Sequence, residues 1–237
     1  MKPYYEHAGI TIYHGDAREI LPHIPVLSAE SIITDPIWPN SVFADVNPQE
    51  LLREALQDAP GLRCVIHLGC DSDPRFLSAV PKRWPFFRVC WLDYARPSYK
   101  GRLLYGSEVA YVFGEPPAPK PGAMVLPGKV MAQRTGDNIQ RETGAPSSAN
   151  KNFSRAEHPI DRKRAHPCPR RIQHVQWLVK WFGGGCIVDP FVGSGTTLLA
   201  AKKLGVPAIG IEIEEKYCEI AVKRLSQEVL DFSGKQP

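Results

Sequence analysis

Seven short apolar segments are spaced along the chain. Several of them are β-branched and apolar at successive positions rather than at alternate ones, which is typical of strands that are buried on both faces of a sheet. The sequence therefore predicts strands at residues 11–13, 31–34, 64–68, 87–91, 109–113, 186–189 and 208–213.

Helical periodicity appears between several of these strands. In the last helical segment, Tyr217, Ala221 and Leu225 recur every four residues and form one apolar stripe. Strands that alternate with helices favour an α/β fold, in which helices cover both faces of one sheet. The predicted helices are residues 49–57, 170–182, 196–204 and 214–229.

Length and composition fit one globular domain with an inserted segment. The chain has 237 residues, of which 43% are hydrophobic. No apolar run approaches the ~20 residues of a membrane span, and the first residues lack the apolar stretch of a signal peptide. The six cysteines are scattered, without a C-x-x-C pair, which predicts reduced thiols in a cytoplasmic protein and no metal site.

Positive charge is concentrated in one segment. Residues 116–171 contain eleven Lys or Arg and four Asp or Glu, a balance of +7, whereas the whole chain carries +4. Residues 116–165 are also rich in proline and small polar residues, without sustained periodicity. A disordered linker would have this composition, but the charge favours an insert that contacts phosphates. We expect an insert at 115–165 within a domain formed by 1–114 and 166–237.

A glycine turn follows the strand at residues 186–189. Asp189 ends the strand, and the turn from Gly193 to Gly195 opens the next helix. It is not a P-loop, because no Gly-Lys-Ser/Thr follows, and Leu198 replaces the third glycine of a dinucleotide fingerprint. Glu212 ends the next strand, where a carboxylate can accept both hydroxyls of a ribose. These features predict an adenosine-type ligand; the alternative is a plain helix entry with polar strand ends.

A second loop, Asp35-Pro36-Ile37-Trp38, also follows a predicted buried strand. The exocyclic amine of a nucleobase is a weak nucleophile because its lone pair is delocalised into the ring. The Asp35 carboxylate and the Pro36 carbonyl could bind its two hydrogens, and Trp38 could stack on a base flipped out of the duplex. The alternative is a strand-to-loop turn with Trp38 in the core.

Together these motifs resemble the amino-methyltransferases of DNA. The catalytic-type motif comes first and the cofactor motif last, with a basic segment between them, an order that resembles the β group. The resemblance implies a Rossmann-like sheet of seven strands and S-adenosylmethionine as cofactor. It also implies that Asp35, Pro36, Ile37 and Trp38 form the catalytic motif, although members normally have proline where Ile37 stands.

The resemblance further implies roles for other positions. The glycine loop would border the methionine part of the cofactor, Glu212 would hold the ribose, and Asp16 would lie near the adenine. His166 belongs to a segment similar to the family's His-Pro element, although Arg170-Arg171 stand where members usually have Lys-Pro. The predicted cofactor-binding residues are Asp16, Ala17, His166, Asp189, Phe191, Gly193, Ser194, Gly195, Thr196, Thr197 and Glu212.

The resulting hypothesis is a site-specific DNA methyltransferase that acts on a flipped base in double-stranded DNA. Aspartate rather than serine at position 35 favours adenine N6, as a tendency of the family. Cytosine N4, an RNA substrate, and a catalytically silent DNA-binding relative remain alternatives. Pro167-Cys168 resembles the catalytic dipeptide of cytosine C5 methyltransferases. A cysteine nucleophile at Cys168 is nevertheless disfavoured, because the dipeptide precedes the cofactor loop here and follows it in that family. Dimers are common in the group. The predicted DNA-binding residues are Lys151, Arg155, Arg162, Lys163 and Arg164.

Overall fold

The computed structural model describes residues 1–25, 29–38, 46–100, 103–119, 127–132 and 170–226. This part of the chain forms one mixed sheet of nine strands. The strands are β1 (Tyr5–His7), β2 (Ile10–His14), β3 (Ser31–Thr34), β4 (Arg63–Gly69), β5 (Phe86–Lys100), β6 (Leu103–Gly114), β7 (Lys129–Ala132), β8 (Ile187–Asp189) and β9 (Ala208–Glu212). Their order in the sheet is β1-β2-β9-β8-β3-β4-β6-β5-β7.

Helices cover both faces of the sheet. They are α1 (Ala17–Ile20), α2 (Pro48–Gln57), α3 (Ile172–Phe182), α4 (Thr196–Lys203) and α5 (Glu215–Ser226). Neighbouring residues of a strand point to opposite faces, so Ile33 packs in one apolar cluster with α3, α4 and α5, whereas Ile32 packs in a second cluster with α1 and α2. The α/β fold class predicted from the sequence is therefore confirmed.

All seven predicted strands are present, but the implied total of seven is wrong for the described residues. The two additional strands, β1 and β7, are short and lie at the two edges of the sheet. Most of their residues are exposed or half-buried, so they lack the apolar run that marks a central strand. Strands β5 and β6 also extend beyond their predicted ends as a long antiparallel pair.

Part of the segment predicted as an insert contributes to the main sheet. Strand β7 pairs in parallel with β5, and Lys129 lies opposite Trp91. The five predicted DNA-binding residues, His166 and Cys168 lie outside the described residues, so the insert's boundaries and role stay predictions. No described helix is both long and apolar enough to cross a bilayer.

The chain reverses its direction of winding between β8 and β3. These two strands are parallel neighbours. From β3 the chain passes through α2 on one face to β4, whereas from β8 it passes through α4 on the other face to β9. The two connections leave a crevice at the carboxyl ends of β3 and β8, which is where α/β sheets bind ligands.

Candidate active site

Both sequence motifs line one pocket in this crevice. Residues from the end of β3 face residues from the glycine loop after β8, and the Arg170 side chain closes a third side. The structure thus brings the two motif loops together at one crevice. The lining residues are Ile33, Thr34, Asp35, His67, Arg170, Val175, Leu178, Asp189, Phe191, Val192, Gly193, Ser194, Thr196 and Thr197.

The glycine loop owes its shape to two residues with left-handed backbone. Gly193 has φ of 51° and Gly195 has φ of 80°, a region that side chains with a Cβ rarely adopt. Gly195 begins α4, and a Cβ there would lie 2.8 Å from the Ala221 Cβ on α5. The Gly193 N–H donates to the Glu212 carboxylate at 2.7 Å, which fixes the loop to the end of β9.

Asp189 joins the two motif loops through hydrogen bonds. Its Oδ1 accepts from the Thr34 hydroxyl at 2.7 Å and from the Phe191 N–H at 3.1 Å. The side chain is buried, and burial raises the pKa of Asp189 to about 6, although hydrogen bonds from Thr197, Thr34 and Phe191 oppose this shift. Thr34, which precedes Asp35, is therefore hydrogen-bonded directly to Asp189, which precedes the glycine loop.

Glu212 and Asp16 lie at the carboxyl ends of the neighbouring parallel strands β9 and β2, outside the lining of the pocket. The nearly buried Glu212 carboxylate also accepts from the Glu214 N–H at 2.9 Å, and burial raises its pKa. Asp16 is the N-cap of α1, next to buried Ala17. A hydrogen bond from Arg18 lowers the Asp16 pKa. The sequence did not predict this capping role.

The catalytic-type loop surrounds the Asp35 carboxylate. The Trp38 indole N–H donates to Asp35 Oδ1 at 2.8 Å, and Arg170 Nε donates to Oδ2 at 2.5 Å. The Arg170 guanidinium carbon lies 3.9 Å from the centroid of the Trp38 ring. Pro36 is buried, whereas Ile37 and Trp38 are half-buried. Trp38 is thus partly in the core, as the alternative interpretation expected, but it also contacts Asp35.

A buried polar cluster behind this loop was missed in the sequence. Arg170 Nη1 also donates to Glu108 on β6 at 2.8 Å, and the other Glu108 oxygen lies 2.8 Å from His67 Nε2 on β4. His174 Nδ1 lies 3.9 Å from the Glu108 carboxylate, beyond hydrogen-bond distance. The available signal was a histidine and a glutamate within or beside apolar strand segments, because such residues are seldom buried without partners.

A sequence model of the N6_N4_Mtase family, described as DNA methylase, matches residues 92–223. The chain belongs to this DNA methylase family. The match covers β6, α3 and the whole glycine loop, and it ends within α5. The predicted membership among the DNA amino-methyltransferases is confirmed. Members of the family take their methyl group from S-adenosylmethionine, as predicted.

Relatives and solved structures agree with this membership. The Type II methyltransferase M.ScaI of Streptomyces caespitosus is 27% identical over 264 aligned positions, which cover 96% of this chain and 84% of the relative. The structure of the M1.HpyAVI–SAM complex is 23% identical, with a TM-score of 0.61 over 92% of this chain and all of that one.

PvuII DNA methyltransferase, described as cytosine-N4-specific, is 16% identical to this chain. Its TM-score is 0.65, over 97% of this chain and 90% of that one. At these levels of identity, the two solved structures support the methyltransferase fold. The Rossmann-like architecture implied by the family resemblance is therefore confirmed, and its sheet has nine strands rather than seven within the described part of the chain.

Proposed function

We propose that this protein transfers a methyl group from S-adenosylmethionine to the exocyclic amino group of a flipped base in double-stranded DNA, with adenine N6 as the acceptor. One observation carries the proposal. Asp35, from the catalytic-type motif, and the glycine-loop residues line the same pocket at the reversal point of the sheet. A donor held by one loop would therefore meet an amine held by the other.

The residues around the pocket fit the proposed cofactor. Asp189 places a buried carboxylate in the pocket wall, which would attract a cationic ligand. The small residues Gly193 and Ser194 leave the backbone open to close approach, and Glu212 on the neighbouring strand would bind ribose hydroxyls. When bound, S-adenosylmethionine would supply an electrophilic methyl group on a sulfonium sulfur.

Asp35 would bind and orient the target amine. Each of its oxygens accepts one hydrogen bond in the structure. A carboxylate has about four acceptor positions, so about two remain, and one of them can bind an N–H of the base. The Pro36 carbonyl would accept the second N–H. The nitrogen becomes cationic when it gains the methyl group. Asp35 would then accept the proton that the nitrogen releases.

Trp38 would stack on the flipped base. Its ring is half-buried beside the Asp35 carboxylate, and stacking on an aromatic ring contributes ~1–3 kcal/mol per base. Most of the rate acceleration would then come from holding the amine and the methyl donor in line. No covalent intermediate with the enzyme is needed, because the amine itself is the nucleophile.

Cytosine N4 is the second candidate acceptor. Its amine has the same hydrogen-bonding pattern toward Asp35 and Pro36, and PvuII DNA methyltransferase, which shares the fold, is described as cytosine-N4-specific. The aspartate at position 35 supports adenine, because the family resemblance associates aspartate with adenine and serine with cytosine. Mass spectrometry of the modified nucleosides distinguishes the two products.

The test combines Asp35→Asn and Asp35→Ala with a methyl-transfer assay. Purified protein is incubated with tritiated-methyl cofactor and unmethylated genomic DNA, which is then digested to nucleosides. We expect N6-methyladenine from the wild-type protein. Both variants should lower kcat by about 100-fold or more, because the amine loses its charged acceptor, while calorimetry shows unchanged cofactor affinity.

Asp73→Asn is the matched control. Asp73 also carries an arginine ion pair, but it is exposed and is not among the residues that line the pocket. This variant should methylate DNA at the wild-type rate. Normal methyl transfer by the Asp35 variants would contradict the proposed role, and methylation of RNA in place of DNA would contradict the proposed substrate.

A further inference from the structure

Arg170 contacts Asp35 and Trp38 of the catalytic-type loop and Glu108 of β6. Its Nε binds Asp35 at 2.5 Å and its Nη1 binds Glu108 at 2.8 Å. Its guanidinium carbon also lies over the Trp38 ring, 3.9 Å from the centroid. Because a guanidinium is planar and its donors are fixed in direction, these contacts set the orientation of Asp35 and Trp38 relative to each other.

Glu108 anchors Arg170 from inside the sheet. Only 4% of its side chain is exposed, and its second oxygen is 2.8 Å from His67. Burial raises the pKa of Glu108, but the nearby His67, His174 and Arg170 outweigh this effect and hold the pKa far below its usual value. Glu108 therefore stays ionised, and its charge holds the Arg170 side chain in place.

The arrangement also shares the arginine between two carboxylates. Side-chain exposure is 10% for Arg170 and 24% for Asp35, so their attraction is only partly screened by water. An arginine paired with Asp35 alone could bind both of its oxygens in a bidentate pair. In the structure Arg170 donates to one Asp35 oxygen through Nε and to Glu108 through Nη1, and the Asp35 carboxylate keeps acceptor positions for a substrate amine.

We propose that Arg170 and Glu108 are positioning residues for methyl transfer. Glu108 fixes Arg170, which holds the Asp35 carboxylate and the Trp38 ring in the relative geometry that the flipped base requires. This inference rests on the proposed function for its kinetic consequence, since it assigns a purpose to residues behind the same site. An error of about 1 Å in such a geometry can cost 10²-fold in rate.

The kinetic test compares Arg170→Ala, Arg170→Lys and Glu108→Gln. We expect Arg170→Ala to lower kcat about 100-fold and Glu108→Gln about 10-fold, with the KM for DNA and the cofactor Kd changed less than three-fold. Lysine should restore part of the Arg170→Ala loss, because it keeps the charge but not the planar fork. Arg75→Ala and Glu219→Gln are matched controls, since both residues are exposed.

A second measurement is independent of methylation. The indole N–H of Trp38 is followed by ¹H–¹⁵N NMR and assigned by its loss in Trp38→Phe. If Arg170 and Glu108 position the loop, this resonance shifts and exchanges faster with water in Arg170→Ala and Glu108→Gln, but not in the two control variants. Thermal unfolding of each variant shows whether the fold is intact.

The outcomes separate the two proposals. An unchanged Trp38 resonance in both variants overturns the positioning role, as does a kcat that falls only in proportion to the folded fraction. A wild-type protein that transfers no methyl group to DNA overturns the proposed function, while a shifted Trp38 resonance would still support the positioning of the loop.

Discussion

The Trp38 ring lies close to the backbone of Gly69, at the end of β4. A Cβ at residue 69 would come within 2.8 Å of the ring carbon Cη2 of Trp38 and of the Asp71 carboxylate. Real Cβ atoms do not approach other heavy atoms so closely, so the rigid, half-buried ring would have to move. A glycine on the neighbouring strand therefore helps to place an aromatic residue of the candidate site.

Gly69→Ala should reduce methyl transfer without unfolding the protein. The added methyl group displaces Trp38, and the ring can no longer donate to Asp35 in the same geometry, so we expect kcat to fall 10-fold or more. Steady-state kinetics and thermal unfolding check this. Gly185→Ala is the control, because its Cβ would meet only a Glu30 oxygen at 3.5 Å. Wild-type kcat in Gly69→Ala would show that the ring position is unimportant.

At the scale of elements, the packing of α4 on α5 determines how the glycine loop ends and α4 starts. Gly195 starts α4 with φ of 80°, and its Cα faces Ala221 in the middle of α5. Two constraints coincide there, since the backbone is left-handed and the neighbouring helix leaves no room for a side chain. The sequence motif identified the glycine, but its helical partner is 26 residues further along the chain.

Gly195→Ala should lower the free energy of unfolding by about 1–3 kcal/mol, the usual cost of a strained backbone position, and should weaken cofactor binding. Urea denaturation and calorimetry measure the two effects. Adding Ala221→Gly relieves the side-chain clash but not the strain in φ, so the double variant should show a favourable coupling energy in a double-mutant cycle. Strict additivity would contradict the proposed contact between the helices.

At the scale of the whole molecule, burial of Asp189 links stability to pH. The pKa of Asp189 is about 6 in the folded protein and 3.8 is its ordinary value. Between these values the folded state binds more protons than the unfolded state, so this group's contribution to stability falls as pH rises. As pH rises through this range, the Asp189 contribution to the free energy of unfolding falls by about 3 kcal/mol in total, since each pKa unit corresponds to about 1.4 kcal/mol.

Asp189→Asn should therefore gain stability relative to the wild type as pH rises. The difference in unfolding free energy between variant and wild type should increase by about 1 kcal/mol from pH 5 to pH 8, as measured by urea denaturation. Asp73→Asn should show no such increase over this range, because Arg75 lowers the Asp73 pKa and the carboxylate is then ionised in both folded and unfolded states above pH 5. A difference independent of pH for Asp189→Asn would mean that its carboxylate is not destabilised by burial.

The local sequence was sufficient for much of the framework. Strand β3 was predicted at its observed bounds, and β4 and α4 within one residue at each end, because buried parallel strands and glycine-initiated helices have strong local patterns. Edge strands β1 and β7 were missed because their stability comes from pairing with neighbours rather than from an apolar run.

The residues of the candidate site were also predicted only in part from the local sequence. Asp35, Trp38, Asp189 and the glycines were predicted from local motifs that a strand and the following turn define. Glu108, His67 and the Arg170 contacts were not, because β4, β6 and the start of α3 meet only in the folded chain. Local sequence patterns were enough to identify the fold class, the family and the two loops. The buried charges that face those loops became apparent only in the folded chain, since such contacts depend on strand order rather than on neighbouring residues.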